Sequence, residues 1–221
     1  MIALMRPMVR AVIFDMDGVI SDTQSIYSQI DSDLLAAEGI DIDPADVTAR
    51  FAGVKSALMF QTILWENGKG GDFNAMADEK RQRYKEILER GVRSIPGSLE
   101  LIDSLKSSGF QIAVGSASQL PLIDFILDSL KIRSKFDAIA STEEVGKGKP
   151  APDVFLLAAK RIGVSPEDCV VIEDGLAGMI GAKRAGMKCI ALVPEGSNAD
   201  YPVDIIVHSL KDLTIEKIKK L

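Results

Sequence analysis

The residues with side chains suited to chemistry are carboxylates and a serine at the ends of short apolar, β-forming runs, and a lysine in the loop after one such run. They are Asp15, Asp17, Ser116, Lys149, Glu173 and Asp174. Clustered carboxylates are unfavourable unless a cation neutralises them, and hard oxygen ligands favour Mg²⁺. A magnesium ion with a lysine and a hydroxyl beside it suits a phosphoryl group, whose oxygens need fixed positive partners. The set therefore points to phosphoryl transfer, provided that the fold brings its members together.

The first two carboxylates lie in the stretch VIFDMDGVI, residues 12–20. A carboxylate can attack phosphorus and form an aspartyl-phosphate. Because residues i and i+2 of a strand point the same way, we expect Asp17 to reach the oxygen of the leaving group while Asp15 attacks. Gly18 lets the chain leave the strand at a backbone angle that other residues resist.

Each of these features also has a plainer explanation. DMDG resembles part of a calcium loop, but an EF-hand needs a further Asp or Asn before its glycine and a helix ahead of it. Taken singly, Asp174 could cap a helix that begins near Gly175, Lys149 could be a solvated lysine and Ser116 a turn residue. Their joint placement at strand ends favours the chemical interpretation.

Alternating strand-like and helix-like segments would position these residues. The strand-like runs are 11–15, 111–116, 136–141, 169–174, 189–193 and 204–208, and the helical patterns between them are 98–109, 120–131, 152–163 and 175–186. The runs are apolar without strict alternation, which is typical of parallel strands covered on both faces. The last helical pattern has small residues on one face, which would let it pack close to the sheet. This order predicts an α/β fold with a doubly wound parallel sheet, in which ligands bind beyond the carboxyl ends of the strands.

One region, from about residue 24 to 90, contains only helical patterns. Its position between the first and second strands predicts an inserted all-helical domain over residues 23–91, with a core domain formed by 1–22 and 92–221. We expect Phe60 and Trp65 to belong to the core of this helical domain.

Composition excludes several classes of partner. The chain of 221 residues is 47% hydrophobic and carries a formal charge of −6, and no basic stretch alternates with aromatic residues. We therefore expect no nucleic-acid or membrane partner. Cys169 and Cys189 each begin an apolar run and should be buried, reduced thiols. With no stretch long enough to span a bilayer, we expect a cytoplasmic protein, a monomer or weak dimer, in which His208 has a structural role.

Four motifs, covering nearly the whole chain in order, resemble those of the haloacid-dehalogenase-type phosphohydrolases, in their subfamily with a helical cap after the first motif. The motifs are DMDGV at 15–19, GSAS at 115–118, KGKP at 147–150 and VIEDG at 171–175. The resemblance implies a Rossmann-like core, with Asp15 as the nucleophile. It makes Asp17 the general acid, then the base that activates water, and a metal ligand through its backbone carbonyl.

The resemblance also assigns the remaining site residues. It implies that Ser116, Ala117 and Lys149 bind the phosphoryl group. Asp174 would be a Mg²⁺ ligand, and Glu173 would support the metal site. The cap would close over the active site and select the substrate, with Thr23, Arg50 and Lys55 as candidate contacts.

Two of the family's activities fit these motifs. DMDGVISDT and KPAPD look very similar to segments of β-phosphoglucomutases. Yet Tyr27 aligns with a histidine of those mutases, Ser56 with a cap arginine, and Gln119 and Leu120 with Lys-Asn. A mutase must hold a bisphosphate intermediate, and this chain lacks two cationic groups that would bind its second phosphate. The difference favours a phosphatase over a mutase.

The segment RFAGVK at 50–55 is similar to the cap segment of phosphatases acting on sugar phosphates, 6-phosphogluconate among them. We therefore predict a Mg²⁺-dependent phosphatase of a small phosphorylated metabolite, in particular a sugar phosphate. The alternatives are a β-phosphoglucomutase-type mutase and, from another class, a non-catalytic phosphate-binding or phospho-receiver module.

Overall fold

The computed structural model of the protein describes residues 9–51, 56–197 and 200–221. The chain divides into two compact units: Met1–Ser21 together with Arg93–Leu221, and Asp22–Val92. The first unit is α/β, and the second is helical.

The α/β unit is built on a parallel sheet of six strands with the order β3-β2-β1-β4-β5-β6. The strands are β1 (Ala11–Phe14), β2 (Gln111–Ser116), β3 (Ala138–Ser141), β4 (Cys169–Glu173), β5 (Lys188–Leu192) and β6 (Ile205–Val207). Each lies within two residues of a predicted run. The prediction of a doubly wound parallel sheet is confirmed.

The helical unit contains α1 (Gln24–Ala37), α2 (Pro44–Phe51), α3 (Ser56–Glu66) and α4 (Phe73–Glu89). Phe60 is fully buried, as predicted, but the prediction for Trp65 is wrong, because this residue is 63% exposed. Met59, Phe60, Ile63 and Leu64 form the buried face of α3. Trp65 falls one residue beyond that face and packs edge-on against Phe73, with ring centroids 6.1 Å apart.

Helices cover both faces of the sheet. They are α5 (Ser98–Ser107), α6 (Leu120–Ser129), α7 (Asp153–Ile162) and α8 (Leu176–Arg184), and the short α9 (Ile215–Lys219) follows the last strand. All residues of β1 and β4 are buried, which explains why their sequences are apolar without alternation. Cys169 and Cys189 are free and buried, as predicted, and burial raises the pKa of both thiols to about 12.

The strand order reverses at β1, with β2 and β3 on one side and β4, β5 and β6 on the other. Phe14 of β1 is level with Ile172 of β4. Residues that follow these two strands therefore leave the sheet side by side, at the place where ligands bind in sheets of this kind. Within the described residues, every helix falls short of the length and apolar character that a membrane crossing requires.

Candidate active site

The turn after β1 carries the first two carboxylates. β1 ends at Phe14, so Asp15 and Asp17 both lie beyond the strand, and the prediction that they share a strand face is wrong. The Asp15 N–H still donates to the Ile172 carbonyl at 2.9 Å, which ties the start of the turn to β4.

Gly18 is required in this turn for two reasons. Its φ of +84° is a left-handed conformation that residues with a Cβ rarely adopt. A Cβ at this position would also lie 2.0 Å from Oδ2 of Asp174. The sequence predicted the backbone requirement, whereas the steric requirement depends on the fold.

Three carboxylates meet where β1 and β4 end. Asp15, Glu173 and Asp174 each place one carboxylate oxygen within 4.8 Å of the other two. Asp15 and Glu173 are buried. Asp174 does not cap α8, whose N-cap residue is Gly175, so the capping alternative is wrong. Its side chain belongs to the acidic cluster.

Lys149 faces two of these carboxylates. Its Nζ donates to Oδ1 of Asp15 at 2.5 Å and to Oε1 of Glu173 at 2.7 Å. The same ammonium lies 4.9 Å from the centroid of the Phe155 ring, and its side chain is about nine-tenths buried. The alternative of a solvated loop lysine is therefore wrong.

Burial and charge repulsion perturb the acidic cluster strongly. Burial raises the pKa of Asp15 to about 7 against the opposing ammonium of Lys149, and the carboxylates of Glu173 and Asp17 contribute to the rise. Burial, together with Asp15 and Glu173, raises the pKa of Asp174 well above its ordinary value. Burial alone would lower the pKa of Lys149, but the carboxylates of Asp15 and Glu173 outweigh the effect of burial and raise this pKa. The site therefore holds a permanent cation among carboxylates that resist ionising together.

The donor set fits a divalent cation. When ionised, Asp15, Glu173 and Asp174 carry three negative charges against the single positive charge of Lys149, and a doubly charged ion balances the difference. Carboxylate oxygens are also the ligands that Mg²⁺ prefers. Both carboxylate oxygens of Glu173 already accept hydrogen bonds within the protein. Oε1 accepts from Lys149, and Oε2 accepts from the Gly175 N–H at 2.6 Å.

The side chain of Glu173 occupies the space where a residue other than glycine would place its Cβ at position 178 of α8. Replacing Gly178 tests how much this packing contributes to stability. An alanine Cβ at position 178 would lie 1.6 Å from Oε1 of Glu173. Glycine-to-alanine changes within helices usually stabilise by about 0.5–1 kcal/mol, but we expect Gly178→Ala to destabilise by about 1–3 kcal/mol through overpacking. Urea unfolding of the chelator-treated protein measures the difference.

Gly175→Ala is the matched control for this prediction. Its Cβ would meet Oε2 of Glu173 at 3.4 Å, an ordinary contact, and φ of −100° suits any residue. We expect it to lose less than about 1 kcal/mol, because alanine is less favourable than glycine at this N-cap but meets no close contact. Equal stability of Gly178→Ala and the unaltered protein would contradict the proposed packing role.

The last residue of β2 and the loop that follows it supply the hydroxyl groups. Ser116 is buried, and its Oγ accepts a hydrogen bond from the Ser118 N–H at 3.0 Å. Ala117 is exposed, and its carbonyl accepts from Thr142 Oγ1. Ser118 Oγ donates to Oδ2 of Asp17 at 2.8 Å. Sequence reasoning did not single out Ser118, although it lies in the GSAS motif.

The three candidate substrate contacts outside the phosphoryl site are Thr23, Arg50 and Lys55. Thr23 is buried directly before α1. Arg50 forms an exposed ion pair with Glu66, with 2.6 Å between Nη2 and Oε2. Lys55 lies outside the described residues. Substrate binding by these three residues stays a prediction.

Two other residues from the sequence analysis, His208 and Tyr27, contact neighbouring groups of the protein. His208 places Nδ1 3.0 Å from the Val193 carbonyl oxygen. Tyr27 stacks on Tyr84 with ring centroids 3.9 Å apart. The ammonium of Lys80 lies 5.0 Å from the Tyr27 ring centroid.

The sheet order and the acidic cluster at its reversal define a Rossmann-like α/β protein with a candidate active site at the carboxyl ends of its strands. Residues 12–192 match the model of the haloacid dehalogenase-like hydrolase family, and the chain belongs to that family.

Similar proteins include phosphatases and a mutase. Hexitol phosphatase B of Escherichia coli (strain K12) is 30% identical over 214 residues, which cover 94% of this chain and 96% of that protein. Fructose-1-phosphate phosphatase YqaB of the same strain is 35% identical over 181 residues, covering 81% and 94%. The crystal structure of β-phosphoglucomutase from Clostridium difficile gives a TM-score of 0.78 at 29% identity, covering 96% of each chain. The prediction of an enzyme of the phosphatase type is confirmed.

Proposed function

We propose that this protein is a Mg²⁺-dependent phosphatase that hydrolyses a sugar phosphate through an aspartyl-phosphate on Asp15. The observation that carries the proposal is the position of Asp15. It is bound to Lys149 and clustered with Glu173 and Asp174, in the turn that also carries Asp17. A carboxylate with a fixed cation and a metal-binding set beside it suits attack on a phosphoryl group.

In the first step, a carboxylate oxygen of Asp15 attacks phosphorus and the P–O bond to the alcohol breaks. The departing alkoxide takes a proton from Asp17, which acts as general acid. Lys149 is protonated throughout and supplies fixed positive charge for the phosphoryl oxygens. The Ser116 hydroxyl is the second donor for these oxygens.

In the second step, Asp17 has become a carboxylate and acts as base. It takes a proton from water as the water oxygen attacks phosphorus of the aspartyl-phosphate. The bond between phosphorus and the Asp15 oxygen breaks, which releases inorganic phosphate and restores the Asp15 carboxylate. The general acid of the first step is thus the general base of the second.

Asp15 and Asp174, with the backbone carbonyl of Asp17 and the support of Glu173, would hold Mg²⁺. When bound, the ion supplies positive charge that stabilises the oxygens of the transferring group. We infer that the helical unit is the cap that selects the substrate. The named activities of the two phosphatase relatives support a sugar or sugar-alcohol phosphate, and 6-phosphogluconate is one specific candidate.

A panel of phosphate esters tests this function. We expect Mg²⁺-dependent release of phosphate from at least one sugar phosphate, with kcat between about 1 and 10³ s⁻¹. EDTA should remove the activity, and Mg²⁺ should restore it. Because Mg²⁺ would bind the folded state selectively, it should also raise the melting temperature. Turnover at background level for all esters would contradict the proposal.

A mutase of the β-phosphoglucomutase type is the second candidate, favoured by the structural similarity to that enzyme. Feeding β-glucose 1-phosphate with a bisphosphate activator distinguishes the two activities. Glucose 6-phosphate without free phosphate would favour the mutase, and free phosphate alone would exclude it. We expect free phosphate, because Tyr27 and Ser56 replace the cationic residues that resemblance assigns to the mutases.

A further inference from the structure

We propose that Ser118 is a positioning residue for Asp17, holding the carboxyl group in the orientation from which it gives a proton to the leaving oxygen. This inference rests on the proposed phosphatase function. Its basis is the hydrogen bond from Ser118 Oγ to Asp17 Oδ2 at 2.8 Å, between residues 101 positions apart.

Asp17 needs such a partner because of where it lies. It follows the end of β1 in a turn, so the regular strand ladder does not set its orientation. Its carboxyl group is only partly buried, and neighbouring side chains restrict a partly buried group less than a buried one. A hydrogen bond to one carboxyl oxygen reduces rotation about the last side-chain torsion and aims the second oxygen. Proton transfer in a transition state requires that kind of fixed geometry.

The loop that carries Ser118 is itself held in place. The Ser118 N–H donates to Ser116 Oγ at 3.0 Å, and the Ser118 carbonyl accepts from Ser141 Oγ at 2.7 Å. The neighbouring Ala117 carbonyl accepts from Thr142 Oγ1 at 3.2 Å. Ser116 and Ser141 are the fully buried last residues of β2 and β3. The ends of two strands therefore fix the backbone from which the Ser118 hydroxyl reaches Asp17.

This role has a kinetic consequence that a purely structural role lacks. An alkyl phosphate releases a strongly basic alkoxide and needs the proton from Asp17. The ester 4-nitrophenyl phosphate releases a weakly basic phenolate and needs it little. The ratio kcat/KM reports the steps up to departure of the alcohol, so hydrolysis of the aspartyl-phosphate, common to both esters, does not enter it. A displaced general acid should therefore lower kcat/KM for the alkyl ester selectively.

The test compares Ser118→Ala with the unaltered protein on two esters, 4-nitrophenyl phosphate and the alkyl phosphate of highest kcat/KM in the panel above. General acid catalysis contributes about 10²–10⁴-fold, and misplacing the acid should remove part of it. We expect kcat/KM to fall about 10- to 100-fold for the alkyl ester and less than about threefold for the aryl ester. Ser118→Thr keeps the hydroxyl and should keep the ratio of the two values near that of the unaltered protein.

Thr142→Val is the matched control, since it removes a hydrogen bond of the same loop without touching Asp17. We expect it to leave the ratio of the two kcat/KM values unchanged, because the hydrogen bonds of Ser118 with Ser116 and Ser141 still hold the backbone of Ser118. An equal fall for both esters in Ser118→Ala, or no fall in either, would overturn the positioning role while leaving the phosphatase function intact. Failure of the unaltered protein to hydrolyse any ester would instead overturn the phosphatase function, and the inference with it.

Discussion

Asp15→Asn is expected to abolish turnover of every ester, with kcat falling by at least about 10⁴-fold, as when other enzymes lose their nucleophile. An amide oxygen is a poor nucleophile and cannot form the aspartyl-phosphate. Asparagine has nearly the size of aspartate and still offers an oxygen to Lys149, so the site should keep its shape. Steady-state kinetics on the best ester of the panel measures the loss.

The fold should survive this substitution. Burial raises the pKa of Asp15 to about 7, which means that its negative charge is unfavourable in the folded protein. Removing it leaves Lys149 bound to Glu173. We therefore expect the metal-free melting temperature of Asp15→Asn to equal or exceed that of the unaltered protein, which separates lost chemistry from lost structure.

Two controls sharpen the result. Asp128→Asn makes the same chemical change on the exposed surface of α6 and should keep full activity. In acid-quenched reactions, intact-mass measurement should find a phosphorylated form of the unaltered protein and none of Asp15→Asn. Retention of more than about 1% of kcat by Asp15→Asn would rule out Asp15 as the nucleophile, because the expected loss is far larger.

The sequence predicted the sheet well for a physical reason. Strands covered on both faces must be apolar at successive positions, and such runs stand out between amphipathic helices. Helix ends were marked by glycines: Gly163 is the C-cap of α7 with φ of +67°, and Gly109 follows the C-cap Ser108 of α5 with φ of +80°. These are local signals, so one sequence suffices to find them.

The errors fall where local pattern and tertiary structure diverge. Asp15 and Asp17 follow the period of a strand, but the strand ends at Phe14, and the composition of VIFDMDGVI does not reveal where pairing stops. Trp65 continues an apolar stretch, yet a step of one residue turns it out of the buried face of α3.

Contacts over long sequence separations were the least predictable. The bond between Ser118 and Asp17 joins two motifs whose relative placement only the fold decides. The small residues of α8 were predicted to allow close packing against the sheet. The specific need for glycine at position 178 follows only from the structure, in which the Glu173 side chain fills the space that a Cβ of residue 178 would take.

Lys149→Met should damage both stability and activity, because it removes the cation bound to Asp15 and Glu173. Breaking a buried ion pair typically costs about 3–5 kcal/mol, and we expect a loss at the lower end of that range, since proton uptake by the raised-pKa carboxyl groups of Asp15 and Asp174 relieves part of the repulsion. Methionine matches the apolar stem of lysine and can keep contact with Phe155. Chemical denaturation without metal measures this loss.

The same variant should lower kcat by about 10²–10³-fold, because a fixed donor to the transferring phosphoryl oxygens is lost. Lys147→Met is the matched control, since Lys147 lies two residues earlier in the same loop and is exposed; it should leave both stability and kcat nearly unchanged. Mg²⁺ should recover more stability in Lys149→Met than in the unaltered protein, because in the variant the ion alone would neutralise the acidic cluster. Recovery of activity along with stability would show that Lys149 serves only to balance charge, whereas restored stability with kcat still depressed would establish its separate role in phosphoryl transfer.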